Sequence, residues 1–254
     1  MIKAIVLSCD KYHKITDHMI ETYQKLWPTN KLKFLIPWNE IYPQFLEDKW
    51  KEKIELIKTP VEFKPTIEGL LENIDEDEWV YWCTDDSYLV DIDEDAANTT
   101  LDFINNFITK DKSFNNSIYS VIFYNGQYDS VHKTFNKEEC LNYKGYNFFK
   151  KNKITYQWQH QFCKSKVIKR MFDCLDEPEF AKQMDHMQKE EKSKKFWSMI
   201  EEGDWYVIEN NSVIMGEPTS RGKLTKNGFE SFKQYNLTPP IEEFEVGDAV
   251  IFKQ

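Results

Sequence analysis

The chain opens with a short apolar run, residues 2–8, whose branched side chains are typical of a strand buried on both faces. The next segment, residues 14–26, spaces its apolar residues three and four apart, which predicts an amphipathic helix that ends before Pro28. A second apolar run, residues 32–36, predicts a strand that Pro37 ends. Strand, helix and strand in this order indicate a βαβ unit with parallel strands.

The rest of the chain continues this alternation of apolar runs and helical periods. Strands are predicted over 54–58, 79–83, 118–124, 154–162, 205–208 and 213–215, and helices over 66–74, 94–108, 166–175, 178–202 and 228–236. Thr66 is a candidate N-cap, and an Asn-Asn turn separates the last two strands. Residues 125–155 show no clear period. The pattern predicts an α/β fold with a mixed, mostly parallel central sheet flanked by helices.

Composition excludes several classes of protein. Lys and Arg number 33 against 43 Asp and Glu, so the formal net charge of −10 disfavours a nucleic-acid-binding protein. Aromatic residues make up 15% of the 254 residues, which argues against disorder. The sequence has neither a membrane-span pattern nor a signal peptide, and its five cysteines lack CxxC spacing. We therefore expect a cytoplasmic protein and, without a linker or repeat, a single domain over 1–254.

Two adjacent acids, Asp85 and Asp86, follow the most strand-like segment of the chain, residues 79–83. In open α/β sheets, ligands lie outside the carboxyl ends of the strands. Two neighbouring carboxylates are unfavourable in free energy there unless a cation binds them. Carboxylate and phosphate oxygens are suitable ligands for Mg²⁺ or Mn²⁺. The alternative is an ordinary turn or N-cap pair.

Three stretches resemble GT-A fold glycosyltransferases. Residues 79–89, which contain Thr84-Asp85-Asp86, resemble the DxD-type region of that family. Residues 5–12, Ile-Val-Leu-Ser-Cys-Asp-Lys-Tyr, resemble the first strand and nucleotide-binding loop of bacterial enzymes that build capsule and lipopolysaccharide. Residues 156–162 resemble the acceptor-side segment of the same group. Thr84 stands where the family pattern often has its first acid, which leaves the division of roles between the two acids open.

The resemblance implies the transfer of a sugar from a nucleotide-diphosphate donor, with a UDP-sugar favoured, to a hydroxyl group of a surface-polysaccharide precursor. The acceptor would be a carbohydrate or a lipid-linked sugar. The Lys-rich run from Lys189 to Lys195 is typical of a solvated helix face, and peripheral contact with a membrane is its alternative role. Asp86 would coordinate Mn²⁺ or Mg²⁺, while Asp85 would share the metal or contact the donor ribose. Residues 1–125 would form the donor- and metal-binding half, and residues 126–254 the acceptor-binding half.

Other candidates for donor binding lie in two loops. Ser8, Asp10 and Tyr12 would hold the base and ribose, with Tyr12 as a stacking face and Asp10 as a hydrogen-bond acceptor. Ordinary packing is the alternative for Tyr12. Arg221 and Lys223 lie in a turn-rich loop and would bind the diphosphate, because arginine binds phosphate oxygens bidentately and lysine acts as a point charge. The alternative for Arg221 is a solvated surface position.

An inverting transfer, which we favour slightly, needs a base to activate the acceptor hydroxyl. Glu201 is favoured by a Trp-then-Glu segment of the family, and Asp129 is the other leading candidate; Glu202 is also considered. His132 and His160 are more typical of structural histidines. A further group of aromatic residues suits either a sugar platform or the core: Trp158, Phe162, Trp197 and Trp205.

Three other functions stay open at this point. One is a glycosyltransferase that acts on modified phage DNA or on protein. A second is a nucleotidyltransferase, which also uses carboxylates and a metal, although residues 8–14 lack the glycines that such enzymes usually carry. The third is a non-catalytic carbohydrate-binding module, in which the acid pair is only a cap.

Overall fold

The computed structural model describes residues 1–86, 88–122, 135–151, 160–174, 190–200, 203–209, 213–216, 219–220, 223–234 and 236–237. The strands are β1 (Ile2–Leu7), β2 (Leu32–Trp38), β3 (Ile54–Lys58), β4 (Trp79–Thr84), β5 (Tyr88–Ile92), β6 (Ile118–Ile122), β7 (Phe135–Tyr143), β8 (Tyr146–Lys151), β9 (Gln161–Lys164), β10 (Asp204–Ile208), β11 (Val213–Gly216), β12 (Thr219–Ser220) and β13 (Lys223–Leu224).

The helices are α1 (His13–Leu26), α2 (Gln44–Trp50), α3 (Phe63–Leu71), α4 (Glu94–Asp102), α5 (Lys112–Ser117), α6 (Ser165–Asp173), α7 (Glu190–Met199) and α8 (Lys226–Gln234). A 3₁₀ turn, Asp10–Tyr12, precedes α1, and a π-helical segment, Phe103–Ile108, continues α4. Within the described ranges, no helix is both long and apolar enough to cross a membrane.

In the described part of the chain, the central sheet has nine strands in the order β3-β2-β1-β4-β9-β6-β10-β8-β7. The first four are mutually parallel, β9 runs antiparallel between β4 and β6, and β10 is parallel to β6. The antiparallel hairpin of β7 and β8 closes the far edge. Only β9 and β8 therefore run against the common direction. This arrangement confirms the predicted α/β class with a mixed, mostly parallel sheet flanked by helices.

Each face of the sheet packs against helices. Along β1, Ala4 and Val6 face one core, which is shared with α1, α4 and α8. Ile5 and Leu7 face the other core, which is shared with α3, α6 and α7. Because both faces are covered, β1 is a continuous apolar run rather than an alternating one. The parallel strands β1 to β4 end at the same side of the sheet, which we call the carboxyl edge.

Strand β2 continues through Pro37 to Trp38, so the prediction that Pro37 ends this strand is wrong. Trp38 faces β3, because its carbonyl accepts the Thr59 N–H at 3.0 Å. Successive residues of a strand face opposite neighbours, so Pro37 faces the β1 side, where the described pairing ends at Leu35. The missing N–H of Pro37 therefore removes no ladder bond, and its carbonyl lies 2.9 Å from His13 Nε2.

Helix α3 begins at Phe63, after Glu62 as its N-cap, and not near Thr66 as predicted. Thr66 is inside the helix, where its hydroxyl donates to the Pro60 carbonyl at 2.8 Å. Pro65 stands in the first turn, where a missing N–H does not interrupt the helical ladder. The N-cap assigned to Thr66 is therefore wrong, because the helix begins one turn earlier.

The C-terminal half departs most from the sequence pattern. The hairpin of β7 and β8 lies within residues 125–155, where no period was predicted. Strands β10 and β11 belong to different sheets: β10 joins the central sheet, and β11 pairs with β5. The Asn-Asn turn predicted between them lies outside the described residues. The predicted strand over 154–162 falls mostly on residues outside the described ones, and the described strand there begins at Gln161.

Candidate functional site at the carboxyl edge

The acid pair lies at the carboxyl edge of the sheet, directly after β4. The paired register of β1 and β4 reaches Leu7 and Thr84, and the Asp85 N–H then donates to the Leu7 carbonyl at 3.2 Å. A turn at Asp85 and Asp86 follows. The loop that begins at Ser8 leaves β1 at the same level, so the two predicted donor-side segments are neighbours in the fold.

Asp85 is almost completely buried, with 7% of its surface exposed, while Asp86 is accessible to solvent. Among the described residues, Asp85 Oδ2 has no hydrogen-bond partner. Burial and, next, the charge of Asp86 raise the pKa of Asp85 well above its usual range, against the effect of the Ser8 hydroxyl. Loss of solvation by the surrounding protein atoms also raises the pKa of Asp86, although a hydrogen bond with the Thr84 side chain acts to lower it. No positively charged side chain among the described residues acts on the pKa of either carboxyl group.

A divalent cation fits this pair of carboxylates. It would give the buried Asp85 oxygen a partner and would stabilise both ionised side chains. In the part of the chain that the structure describes, no three His, Cys, Asp or Glu side chains gather into a larger metal site. Two carboxylates are enough to hold Mg²⁺, which commonly binds one or two carboxylates and completes its coordination with water and ligand oxygens.

The loop after β1 carries the other predicted donor-side residues. Ser8 Oγ lies 2.9 Å from Thr16 Oγ1 of α1. Tyr12 is half-buried against the core, and its N–H donates to the Cys9 carbonyl at 2.8 Å. Tyr12 is thus partly packed and partly accessible, which is compatible with both interpretations of this residue. The predicted roles of Ser8 and Tyr12 in nucleoside binding stay predictions.

Asp10 has a structural role that the sequence did not indicate. Its carboxylate accepts the backbone N–H groups of Asn39, Glu40 and Ile41, each at 2.8 Å. Partial burial acts to raise the pKa of Asp10, but these three bonds, with a contribution from His13, lower it overall. Asp10 thus fixes the loop after β2 to the loop after β1, and its predicted contact with the base or ribose stays a prediction.

Behind the acid pair lies a buried group of one histidine and two tyrosines. His160 Nε2 accepts the Thr84 backbone N–H at 3.0 Å, and His160 Nδ1 lies 3.1 Å from the Tyr81 hydroxyl and 3.2 Å from the Tyr23 hydroxyl. The two hydroxyl oxygens are 2.6 Å apart. Burial lowers the pKa of His160 to about 3, so its imidazole is neutral at physiological pH.

The remaining predicted site residues divide into three groups. Lys223 is exposed in β13, where it pairs in register with Ser220. Phe162 and Trp205 are buried in the two cores, so the sugar-platform interpretation is wrong for both. Outside the described residues, or without a described side chain, lie Asp129, His132, Trp158, Trp197, Glu201, Glu202 and Arg221. Their roles stay predictions.

Comparison with known proteins gives matches among solved structures alone. No protein-family model matches the chain, and no curated protein matches its sequence. The TarS fragment 1–349 of S. aureus matches over 92% of this chain and 64% of its own, with a TM-score of 0.49 and 11% identity. The glycosyltransferase GlyE of Streptococcus pneumoniae TIGR4 matches over 81% and 45%, with a TM-score of 0.43 and 10% identity.

A third match is 4-diphosphocytidyl-2C-methyl-D-erythritol synthase, over 92% of this chain and 99% of its own, with a TM-score of 0.47 and 6% identity. This chain spans less than two thirds of the length of the TarS fragment and of GlyE. GT-A-type glycosyltransferases, the family that the sequence motifs resemble, are among the solved structures that this chain is similar to.

Proposed function

We propose that this protein is a metal-dependent glycosyltransferase, which transfers a sugar from a nucleotide-diphosphate donor to a hydroxyl acceptor. The observation that carries the proposal is the buried Asp85 carboxylate, whose Oδ2 has no partner among the described residues, beside the accessible Asp86. Both acids lie at the carboxyl edge of a mostly parallel sheet, the side on which such folds bind ligands.

The cation and the donor diphosphate account for this arrangement together. Asp86 would hold Mn²⁺ or Mg²⁺ on the solvent side, and Asp85 would meet it through Oδ2 or contact the donor ribose. When bound, the ion would neutralise the charge that develops on the leaving nucleoside diphosphate. The diphosphate oxygens would in turn complete a coordination shell that two carboxylates leave open.

The other predicted residues have distinct roles in the proposal. Ser8 and Tyr12 would contact the base and ribose of the donor, for which UDP is favoured, and Asp10 holds their loop against its neighbour. Arg221 and Lys223 would bind the diphosphate. The base that activates the acceptor in an inverting transfer would be Glu201 or Asp129. The acceptor would be a carbohydrate or lipid-linked precursor of a surface polysaccharide, and the location cytoplasmic.

Binding of nucleoside diphosphates tests the proposal before any acceptor is known. A ligand that binds only the native state raises the melting temperature, so UDP with Mn²⁺ should stabilise the wild-type protein more than UDP alone. Asp86→Asn should lose the Mn²⁺-dependent part of the shift. Asp95→Asn, which changes an exposed acid in the first turn of α4, is the matched control and should keep it. A wild-type protein that no nucleoside diphosphate stabilises, with or without Mn²⁺, would contradict the proposal.

A further inference from the structure

We infer that His160 is a positioning residue for the acid pair: it fixes the backbone where β4 ends and so sets the direction of the two carboxylates for cation binding. This inference rests on the proposed function, because it concerns the same metal site. It assigns a purpose to a buried side chain that touches neither Asp85 nor Asp86 in the described contacts.

The Thr84 amide lies just beyond the paired part of β4. The described pairing of β4 with β9 ends at Trp82 and Gln161. Two residues further along β4, the Thr84 N–H is met by the imidazole of His160 at 3.0 Å instead of a strand carbonyl. The side chain of the residue before β9 thus continues the support that β9 gives to β4.

The consecutive backbone amides of Thr84 and Asp85 are held from opposite sides. Thr84 donates towards β9, to His160 Nε2, whereas Asp85 donates towards β1, to the Leu7 carbonyl. The peptide planes on either side of the Thr84 Cα are therefore both fixed at the point where the chain leaves the sheet. Asp85 and Asp86 follow directly, so the direction of their carboxylates depends on these two bonds.

The Thr84 amide fixes the tautomer of the imidazole, and the remaining ring proton faces two tyrosine hydroxyls. Nε2 accepts the Thr84 N–H and so carries no hydrogen, which places the single proton of the neutral ring on Nδ1. Nδ1 faces the hydroxyls of Tyr81 and Tyr23, at 3.1 and 3.2 Å. If the proton were on Nε2 instead, the Nε2–H and the Thr84 N–H would point at each other and no hydrogen bond could form between them. Tyr81 comes from β4 and Tyr23 from α1, so the arrangement joins three parts of the fold behind the acid pair.

His160 does not itself act as a proton donor or acceptor in the reaction. The whole side chain is buried, and both ring nitrogens have partners within the protein. Outer-shell groups of this kind commonly govern how well metal ligands are aimed. The imidazole acts through the Thr84 backbone, and its removal should weaken cation binding while the protein still folds.

Two polar substitutions separate this role from simple packing. The amide of His160→Gln reaches the position of Nε2, where its oxygen can accept the Thr84 N–H. The amide of His160→Asn reaches only the position of Nδ1. We expect Mn²⁺ affinity in the presence of UDP, measured by electron paramagnetic resonance of free Mn²⁺, to stay near the wild-type value in H160Q. In H160N it should fall by about tenfold or more.

A double variant, Tyr23→Phe with Tyr81→Phe, provides a second route if H160N does not fold. It keeps both rings but leaves the Nδ1 proton without the two hydroxyls, and we expect several-fold weaker Mn²⁺ binding. Equal Mn²⁺ affinity in the wild type, in every folded variant of His160 and in the tyrosine double variant would overturn the inference.

The same experiment distinguishes this inference from the proposed function. A wild-type protein that does not bind Mn²⁺ in the presence of any nucleoside diphosphate would contradict the proposed function itself. Nitrogen-15 NMR of the histidine side chains, which needs no metal, should place the His160 proton on Nδ1. A proton on Nε2 would overturn the inference whether or not the wild-type protein binds Mn²⁺.

Discussion

Asp10 and Ile41 are joined across the carboxyl edge of the sheet, where Asp10 Oδ2 accepts the Ile41 N–H at 2.8 Å. The same carboxylate accepts the N–H groups of Asn39 and Glu40. The Asn39 side-chain amide then donates to the Pro60 carbonyl at 2.7 Å. One carboxylate and one amide thus connect the loops that follow β1, β2 and β3, beside the proposed donor site.

Asp10→Ala should lower the free energy of unfolding by about 1–2 kcal/mol, because three N–H groups lose an ionised acceptor but can still bond to water. Asp10→Asn keeps one carbonyl oxygen and should have a smaller effect. Urea unfolding followed by tryptophan fluorescence measures both. Identical stability of D10A and the wild type would show that these bonds do not hold the loops.

The N-terminal half of the fold could be predicted from the sequence because its strands are buried on both faces. Such strands are continuous apolar runs, and α1 between them has a clear helical period, so β1, α1 and β2 were found close to their observed bounds. The hairpin of β7 and β8 was not predicted. It lies at the edge of the sheet and contains a register shift between Asn136 and Cys140, both of which weaken an alternating pattern.

The candidate site was predictable where it depends on local sequence, and not where it depends on distant contacts. Asp85 and Asp86 follow an apolar strand, so their place at the carboxyl edge could be inferred. The contact of His160 with Thr84 joins residues 76 positions apart, and that of Asp10 with Asn39 joins residues 29 apart. No short-range pattern marks either contact, and each becomes visible only when the strands are assembled.

The pH dependence of stability should contain a component from His160. Burial lowers its pKa to about 3 in the folded protein, whereas an unfolded histidine titrates near 6.5. Between these values the unfolded chain binds a proton that the folded chain does not, so stability should fall as the pH decreases from about 6.5 towards 3. Its contribution to the slope is at most about 1.4 kcal/mol per pH unit.

The variant H160Q removes this titration while it keeps an acceptor for Thr84. Urea unfolding of both proteins between about pH 5 and 6.5 should therefore give a shallower pH dependence for H160Q. Other histidines titrate in both proteins, so the difference between the two slopes reports His160. Parallel slopes would mean that His160 is protonated in the folded protein or exposed to water.

A second pH effect should come from Asp102, which joins α4 to the turn between β7 and β8. Its carboxylate accepts the Tyr143 hydroxyl at 2.6 Å and lies 2.7 Å from Lys144 Nζ. Lys144 and then Tyr143 lower the pKa of Asp102 to about 2. The stabilisation is thus present above the ordinary aspartate pKa and is lost as the pH falls through about 4 towards 2.

Asp102→Asn should therefore be less stable than the wild type near neutral pH, by about 1 kcal/mol once solvent screening of this partly exposed group is considered. This difference in the free energy of unfolding between the two proteins should disappear as the pH approaches 2. Chemical unfolding at a series of acidic pH values measures it, and a gap that is constant down to that pH would contradict the assignment.

In the proposed function, the acid pair binds a cation, and this cation assists the departure of a nucleoside diphosphate. The most direct test is product analysis of the wild-type protein with nucleotide-sugars, with and without Mn²⁺, and of D86N and D95N in parallel. With water as the acceptor of the sugar when no other hydroxyl is supplied, we predict Mn²⁺-dependent release of a nucleoside diphosphate by the wild type and D95N, and none by D86N. Release of pyrophosphate, or equal release of nucleoside diphosphate by D86N, would contradict the account.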